Sequence, residues 1–261
     1  MIFETHAHYD DAAFDADREE VITSVHESGV HPIINVGASI ASTRTSMELA
    51  RTHDFIYAAV GVHPEDIGDL NEETFTWLKE QTAWEKSVAV GEIGLDYYWE
   101  KDPDKQALQR YWFGRQMDLA REVGLPIIVH SRDAAADTMA VMKDHHAEKI
   151  PGVIHCYSYS KEMALEFIKM GYYIGVGGVV TFKNARKLKE TVAAIPMERI
   201  VLETDSPYMA PTPFRGKRND SRYIPYMIAE IASIKGITKG EVERTAESNA
   251  YRLFQKVPPR K

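Results

Sequence analysis

The sequence MIFETHAHYD, residues 1–10, places His6 and His8 two positions apart at the end of a short apolar run. Because side chains in a strand alternate between its faces, both imidazoles would project from one face and Ala7 from the other. Two converging imidazoles supply half of a divalent-metal site. A single His-x-His pair arises easily by chance, so this interpretation depends on further ligands at the ends of later strands.

The composition is that of an ordinary globular protein. The chain has 261 residues, of which 44% are apolar and 27% charged, and this length is typical of one β/α barrel. Cys156 is the only cysteine, which excludes an intrachain disulfide and favours a cytoplasmic enzyme. The longest apolar stretch, residues 172–180, contains glycines and is too short to cross a bilayer. We therefore expect a cytoplasmic monomer with no membrane partner.

Short apolar runs alternate with amphipathic stretches along the whole chain, and this alternation predicts the fold. Continuously apolar runs are typical of parallel strands buried on both faces. Eight such βα units in one domain, residues 1–261, predict an α/β fold of the (β/α)8 TIM-barrel type. An open doubly wound sheet is the alternative, but a glycine-rich phosphate fingerprint after the first strand is absent. The predicted strands are Ile2–His6, Pro32–Val36, Phe55–Val62, Val88–Ile93, Pro126–His130, Val153–Cys156, Tyr172–Val176 and Ile200–Asp205.

Helix boundaries are marked by local signals. Asp102 has the character of an N-cap before a helix from Pro103 to Val123. Thr238 and Glu241 form a capping-box pattern at the start of the last predicted helix. Three helices are predicted to end at glycines that adopt the left-handed conformation, namely Gly29, Gly124 and Gly171.

Residues of metal-ligand type recur at the ends of the predicted strands. Active sites of β/α barrels lie at the C-terminal ends of their strands, so these side chains are expected in one pocket at that mouth. Any one of them has an ordinary structural explanation, but so many strand ends together favour a metal site. The predicted ligands are His6, His8, Glu92, His130, His155 and Asp205; His63 also stands at the end of a predicted strand, the third, but is not among the ligands.

Individual residues suggest distinct roles. Glu92 can bridge two cations through its two oxygens, and Asp205 can both bind a cation and accept a proton from water, so both are predicted to be catalytic. Glu203 shares a strand face with Asp205 and could orient a ligand. His63, in the sequence GVHP, either contacts substrate or is a loop residue positioned by the proline. Strand alternation predicts that Cys156 points away from the site.

The ordered motifs ETHAHYD, GVHPE, VGEIGLDYY, LPIIVHSRDA, VIHCYS, LETDSPY and SNAYRLF resemble the TatD family of metal-dependent deoxyribonucleases. This family belongs to the amidohydrolase superfamily of barrels, and the match covers essentially the whole chain. The strand-four glutamate and the TDSPY run are more specific than His-x-His alone. The resemblance implies the same six metal ligands that the strand ends indicate. It also implies magnesium-dependent hydrolysis of DNA, often from the 3′ end.

Two divalent cations are expected, roughly 3.5–4 Å apart as in other two-metal sites. One would be held by the two strand-one histidines with Asp205, the other by His130 and His155, with Glu92 between them. Imidazole-rich ligation suits Zn²⁺ or Mn²⁺, and the carboxylates admit Mg²⁺. Water activated by the cations would attack phosphorus in line.

Basic residues suggest how DNA could be held, and a single strand or a 3′ end is the expected substrate. The net charge of −8 argues against nucleic-acid binding over a broad surface but permits a local patch. The loop PTPFRGKRNDSR, residues 211–222, concentrates Arg215, Lys217 and Arg218. This loop is either a phosphate-binding edge or a solvated run of charge. Arg132, two positions after a predicted ligand, is better placed for a single phosphate contact.

Two other functions fit the same pattern. One is a hydrolase of small esters, lactones or amides on the same barrel, since a fold does not determine its substrate. Many such members of the superfamily carry a modified lysine at strand four, and Glu92 stands against that interpretation. The other is a non-catalytic metal-binding protein, which would have a closed ligand shell without a position for water.

Overall fold

Eight parallel strands follow one another in chain order around a single sheet. The computed structural model describes residues 1–259, so the predicted domain 1–261 extends two residues beyond the described range. All eight predicted strands are present, with shifted boundaries. The strands are β1 Ile2–Ala7, β2 Val30–Val36, β3 Ile56–Val60, β4 Ser87–Asp96, β5 Ile127–Arg132, β6 Gly152–Ile154, β7 Tyr173–Val176 and β8 Ile200–Leu202.

A helix lies between each pair of consecutive strands, and two more follow β8. Asp102 caps α4 by accepting the Asp104 backbone N–H, and Gly124 ends this helix at φ 71°, as predicted. Within residues 1–259, no helix combines the length and apolar character needed to cross a membrane. The helices are α1 Arg18–Glu27, α2 Ile40–Thr52, α3 Glu72–Gln81, α4 Pro103–Val123, α5 Ala135–Asp144, α6 Lys161–Lys169, α7 Arg186–Ala194, α8 Ile224–Lys235 and α9 Lys239–Leu253.

The seam between β8 and β1 closes at the C-terminal mouth. Ala7 and Ser206 form an isolated parallel bridge there, and the Asp205 N–H donates to the His6 carbonyl at 2.9 Å. The strands therefore form a nearly closed barrel with helices between them. The predicted (β/α)8 fold is confirmed, and the open-sheet alternative is excluded.

An apolar layer fills the N-terminal half of the barrel and leaves the other end to polar groups. One buried cluster contains residues from all eight strands together with Leu253 and Phe254. The rings of Phe3 and Phe254 stack with their centroids 5.9 Å apart, so α9 and the residue after it cover this end. Close packing in this apolar layer fixes the strands against one another, and the fixed strands hold the C-terminal mouth in a defined shape.

Two strands end earlier than predicted because the backbone turns. Cys156 adopts φ 44° and Asp205 adopts φ 58°, values that an extended strand cannot contain. Hence β6 ends at Ile154 and β8 at Leu202, and the residues that follow lie on turns above the sheet. β4 instead continues to Asp96, three positions past its predicted end, through added pairing with β5.

Candidate metal centre

A pocket of about 520 Å³ opens at the C-terminal mouth of the barrel. Five of the six predicted ligands lie within three residues of the C-terminal end of a strand, whereas Glu92 lies inside β4, four positions before its last residue. The structure brings all six side chains together at this one place. His8, Glu92, His130, His155 and Asp205 line the pocket, and His6 lies fully buried beside them.

Glu92 stands at the centre of this cluster, and its two oxygens face different groups. Oε2 lies 3.3 Å from His6 Nε2 and 3.7 Å from His8 Nε2. Oε1 lies 2.8 Å from His130 Nδ1 and 3.1 Å from His155 Nε2. One carboxylate therefore separates two sets of nitrogen donors.

The first donor set consists of His6, His8 and Asp205. The two Nε2 atoms are 3.0 Å apart, and Asp205 Oδ1 lies 3.7 Å from the first and 3.5 Å from the second. Ligands bound at about 2.0–2.2 Å to one tetrahedral ion lie roughly 3.3 Å from each other. His8 Nδ1 contacts the Val36 carbonyl at 2.9 Å, which directs Nε2 into the site. The spacing and the donor chemistry both fit a divalent cation.

The second donor set depends on Asp96, a residue that the sequence reasoning missed. His130 bonds through Nδ1 to Glu92 and through Nε2 to Asp96 Oδ2 at 3.0 Å. A histidine held by a carboxylate on its far nitrogen is a common arrangement behind metal ligands. Asp96 lies four positions after Glu92, on the same face of a continuous strand. That spacing could have revealed it, had β4 not been predicted to end at Ile93.

Glu203 lies beneath His155, where a positioning role was predicted. Its Oε1 accepts the Cys156 backbone N–H at 2.5 Å and lies 3.5 Å from His155 Nδ1. Gly175 makes room for this carboxylate, because a Cβ at that position would collide with Glu203 Oε2. The side chain is therefore fixed by its backbone partner and by a neighbouring glycine.

Glu4 is a second buried acid that the sequence reasoning overlooked. Its Oε1 accepts the backbone N–H groups of His6 at 3.1 Å and Thr204 at 2.9 Å. Its Oε2 accepts the hydroxyls of Thr204 and Ser221, both at 2.7 Å. Glu4 thus ties β1 to the segment that carries Asp205. The period-two series Glu4, His6 and His8 could have indicated it, since all three share one face of β1.

The prediction that Cys156 points away from the site is wrong. Its Sγ lies within 4.8 Å of the ligand atoms of His155 and Asp205. Strand alternation does not apply, because β6 has already ended and Cys156 adopts a left-handed conformation. Burial raises the pKa of its thiol to about 12, so Cys156 is a neutral thiol at physiological pH and no nucleophile.

The electrostatics of the pocket keep its carboxylates ionised. Burial alone would raise the pKa of Glu92, but the surrounding histidines, foremost His155, hold it well below its usual range. The pKa of Asp205 is likewise lowered, since the hydrogen bond with His8 and the nearby histidines outweigh burial. Burial would lower the pKa of His8, yet Asp205 and Glu92 raise it to about 9. Negative charge is therefore available to a cation at neutral pH.

His63 and Arg132 also line the pocket. His63 Nδ1 accepts the Glu65 N–H at 3.2 Å, and burial lowers the pKa of this histidine to about 3. The neutral ring therefore carries its proton on Nε2, which faces Glu92 Oε1 at 3.7 Å. Arg132 lies with its guanidinium carbon 3.9 Å from the Tyr98 ring centroid.

The basic loop residues lie outside the pocket lining. Arg218 forms two hydrogen bonds with Asp17, at 2.7 and 2.6 Å, so its charge is already paired. Arg215 lies over the ring of Phe182 at 4.5 Å, and Lys217 is exposed. Phosphate binding by Arg215, Lys217 and Arg218 stays a prediction.

Comparison with known proteins assigns the family. A family model described as TatD related DNase matches residues 3–255. YabD of Bacillus subtilis, named an uncharacterized metal-dependent hydrolase, is 46% identical over 98% of this chain and 99% of its own. The protein named 3′-5′ ssDNA/RNA exonuclease TatD, from Cronobacter sakazakii, is 33% identical over 93% of this chain and 94% of its own. The crystal structure of YJJV, a TatD homolog from Escherichia coli K12, superimposes with a TM-score of 0.90 at 31% identity, covering 98% of both chains.

These matches run the full length of the barrel and include every strand that carries a predicted ligand. The resemblance seen in the motifs is thereby confirmed. With the family model over residues 3–255 and relatives 33% and 46% identical, the chain belongs to the TatD family of metal-dependent hydrolases.

Proposed function

We propose that the protein is a deoxyribonuclease that removes nucleotides from the 3′ ends of single-stranded DNA. One observation carries this proposal, namely that the two oxygens of Glu92 face two separate donor sets in one pocket. Two-metal sites of this kind are common among enzymes that cleave phosphodiesters. The exonuclease name of the Cronobacter sakazakii relative supports the choice of substrate.

The residues divide into two cation sites around Glu92. His6, His8 and Asp205 would hold one ion with Oε2, and His130 and His155 the other with Oε1 of the same carboxylate. Bound there, Mg²⁺, Mn²⁺ or Zn²⁺ would act as Lewis acids toward the phosphodiester and promote ionisation of the attacking water.

Asp205 is suited to accept the proton of that water. Its lowered pKa keeps it ionised at neutral pH, and its side chain lies at the edge of the pocket, 16% exposed. Glu92, only 4% exposed, is less accessible to water and serves instead to hold both donor sets together. The two carboxylates thus have different tasks.

Arg132 and His63 are suited to hold the phosphate. Arg132 lines the pocket, and its guanidinium forms no salt bridge within 4 Å in the range 1–259 and interacts with Glu65 only at longer range, so its charge is available to a substrate anion. His63 presents an Nε2–H donor rather than a lone pair, which suits a phosphate oxygen better than a cation. Glu203 and Asp96 position His155 and His130 from behind.

We further propose that the enzyme acts in the cytoplasm as a monomer. Glu92 and both donor sets around it come from a single chain, which supports this choice. Cys156 is the only cysteine and is largely shielded, which suits a reducing compartment.

The test uses purified protein freed of metal with a chelator and then supplied with Mg²⁺, Mn²⁺ or Zn²⁺ in turn. Substrates are 5′-labelled single-stranded DNA, duplex DNA, RNA and a panel of chromogenic esters. We expect a ladder of products shortened from the 3′ end of the single strand, and only after metal is restored. His6→Ala, purified in parallel, excludes a contaminating nuclease.

Other outcomes would favour the other functions. Faster hydrolysis of an ester or lactone than of any DNA would indicate a small-molecule hydrolase. Tight metal binding with no turnover of any substrate would indicate a non-catalytic metal-binding protein. Release of the 5′ label as a mononucleotide, without a ladder of shortened strands, would indicate a nuclease that acts from the 5′ end.

A further inference from the structure

An exposed indole stands at the mouth of the metal pocket. Trp99 is 61% exposed, the highest value among the exposed large apolar side chains of the described chain, and it lines the pocket. Tyr208, 52% exposed, also lines the pocket, but its hydroxyl is hydrogen-bonded to Asp11 at 2.7 Å. Tyr111 on α4 and Tyr226 on α8 are exposed but do not line it. Water contact with so much apolar surface is unfavourable, so a ligand that covers Trp99 would gain free energy.

The turn that carries Trp99 is fixed to the metal centre. Asp96 Oδ1 accepts the backbone N–H groups of Tyr98 at 2.8 Å and Trp99 at 2.9 Å. Oδ2 of the same carboxylate lies 3.0 Å from His130 Nε2. The backbone that carries the tryptophan is therefore tied through Asp96 to the predicted ligand His130.

Positive charge lies directly beside this aromatic surface. The Arg132 guanidinium carbon is 3.9 Å from the Tyr98 ring centroid and 5.7 Å from that of Trp99. The rings of Tyr98 and Trp99 meet edge to face at 4.7 Å. Aromatic faces next to an unpaired cation are the combination by which proteins bind single-stranded nucleic acid, bases on the rings and phosphate on the cation.

We propose that Trp99 is a stacking platform for one nucleobase of the single-stranded substrate, with Arg132 holding the adjoining phosphate. This inference rests on the proposed nuclease function and adds a specificity residue to it. Every base has a π face, so the platform selects unpaired nucleotides without selecting sequence. A base within a duplex is already stacked on both sides and cannot use it.

Binding of two strands of equal length tests the inference, one of thymidylate and one with abasic residues. Both carry phosphorothioate linkages, so that they survive the measurement in Mg²⁺. Fluorescence anisotropy should show the wild type binding thymidylate about 5- to 100-fold more tightly than the abasic strand. Trp99→Leu should bind both strands with nearly equal affinity. Trp99→Phe should keep part of the preference, and Tyr111→Ala should keep all of it.

The result separates this inference from the nuclease proposal. Trp99→Leu with an undiminished preference for thymidylate would overturn the stacking role, while the enzyme could still cleave DNA. A wild-type protein that cleaves single-stranded DNA but binds both strands equally would overturn it too. A wild-type protein that neither binds nor cleaves any strand would overturn both proposals. Melting curves of the variants should match the wild type, because Trp99 is exposed.

Discussion

A single residue, Glu92, organises the pocket, because its two oxygens face separate donor sets. Glu92→Gln keeps the shape of the side chain but removes the charge between those sets. We expect metal occupancy and activity to fall together, and a higher metal concentration to restore part of the activity. Metal analysis beside kinetics checks this. Full occupancy with lost activity would assign Glu92 to the chemical step instead.

Asp205→Asn should behave differently. If Asp205 accepts the proton of the attacking water, the histidines should still retain metal in the variant. Turnover should nevertheless drop by about 10²–10⁴-fold, as is typical for loss of a general base. Added metal should not restore it. A variant with full metal and near-normal nuclease activity would remove Asp205 from the mechanism.

Strand β4 extends three residues past its predicted end, and this extension places the Asp96 carboxylate against His130 Nε2. Asp96→Asn should lower metal affinity about 10- to 100-fold, as is common when the partner behind a histidine ligand is lost. Titration calorimetry measures the affinity. Asp66→Asn is the matched control, since this carboxylate also lines the pocket, but its pKa is raised by burial and by Asp69 and not by a predicted ligand. Equal losses of metal affinity in both variants would mean that Asp96 acts only through its negative charge and not by positioning His130.

The loop after β8 contains basic residues in two different situations. Arg215 and Lys217 are exposed, whereas Arg218 is paired with Asp17 of the segment before α1. Replacing both Arg215 and Lys217 with alanine should weaken DNA binding and flatten its salt dependence by roughly 0.7 per lost phosphate contact. Arg218→Ala should instead lower the melting temperature and change the salt slope less. If the salt dependence of DNA binding is unchanged in the double variant, the loop does not contact DNA phosphates and is ordinary solvated surface.

The elements and the pocket differ in how far the sequence predicts them. The strand-end rule is local, so the order of residues alone is enough to predict that His6, Glu92, His130 and their companions meet at one mouth. Asp96 and Glu4 act through partners that are distant in sequence, and a period-two pattern alone does not reveal these partners. Cys156 was misplaced because its positive φ ends the strand, and residue type does not encode that turn.

Metal binding by the whole molecule should be linked to pH through His8. Without metal, the pKa of His8 is raised to about 9. The protonated ring therefore stabilises the metal-free fold at low pH, and this stabilisation is lost as the pH rises toward 9. Cation binding requires the neutral ring, so apparent affinity should rise about tenfold per pH unit below 9 for each displaced proton. The rise in melting temperature on adding metal should therefore be larger at pH 8 than at pH 6. A rise that does not depend on pH would exclude His8 as a ligand.

The bridge between Ala7 and Ser206 has a consequence for biosynthesis. The ribosome adds His6 and His8 long before it adds their carboxylate neighbour Asp205. A nascent or prematurely terminated chain that stops short of this point cannot close the seam or assemble the first donor set. We therefore expect the first donor set to bind a cation only after translation has passed Ser206.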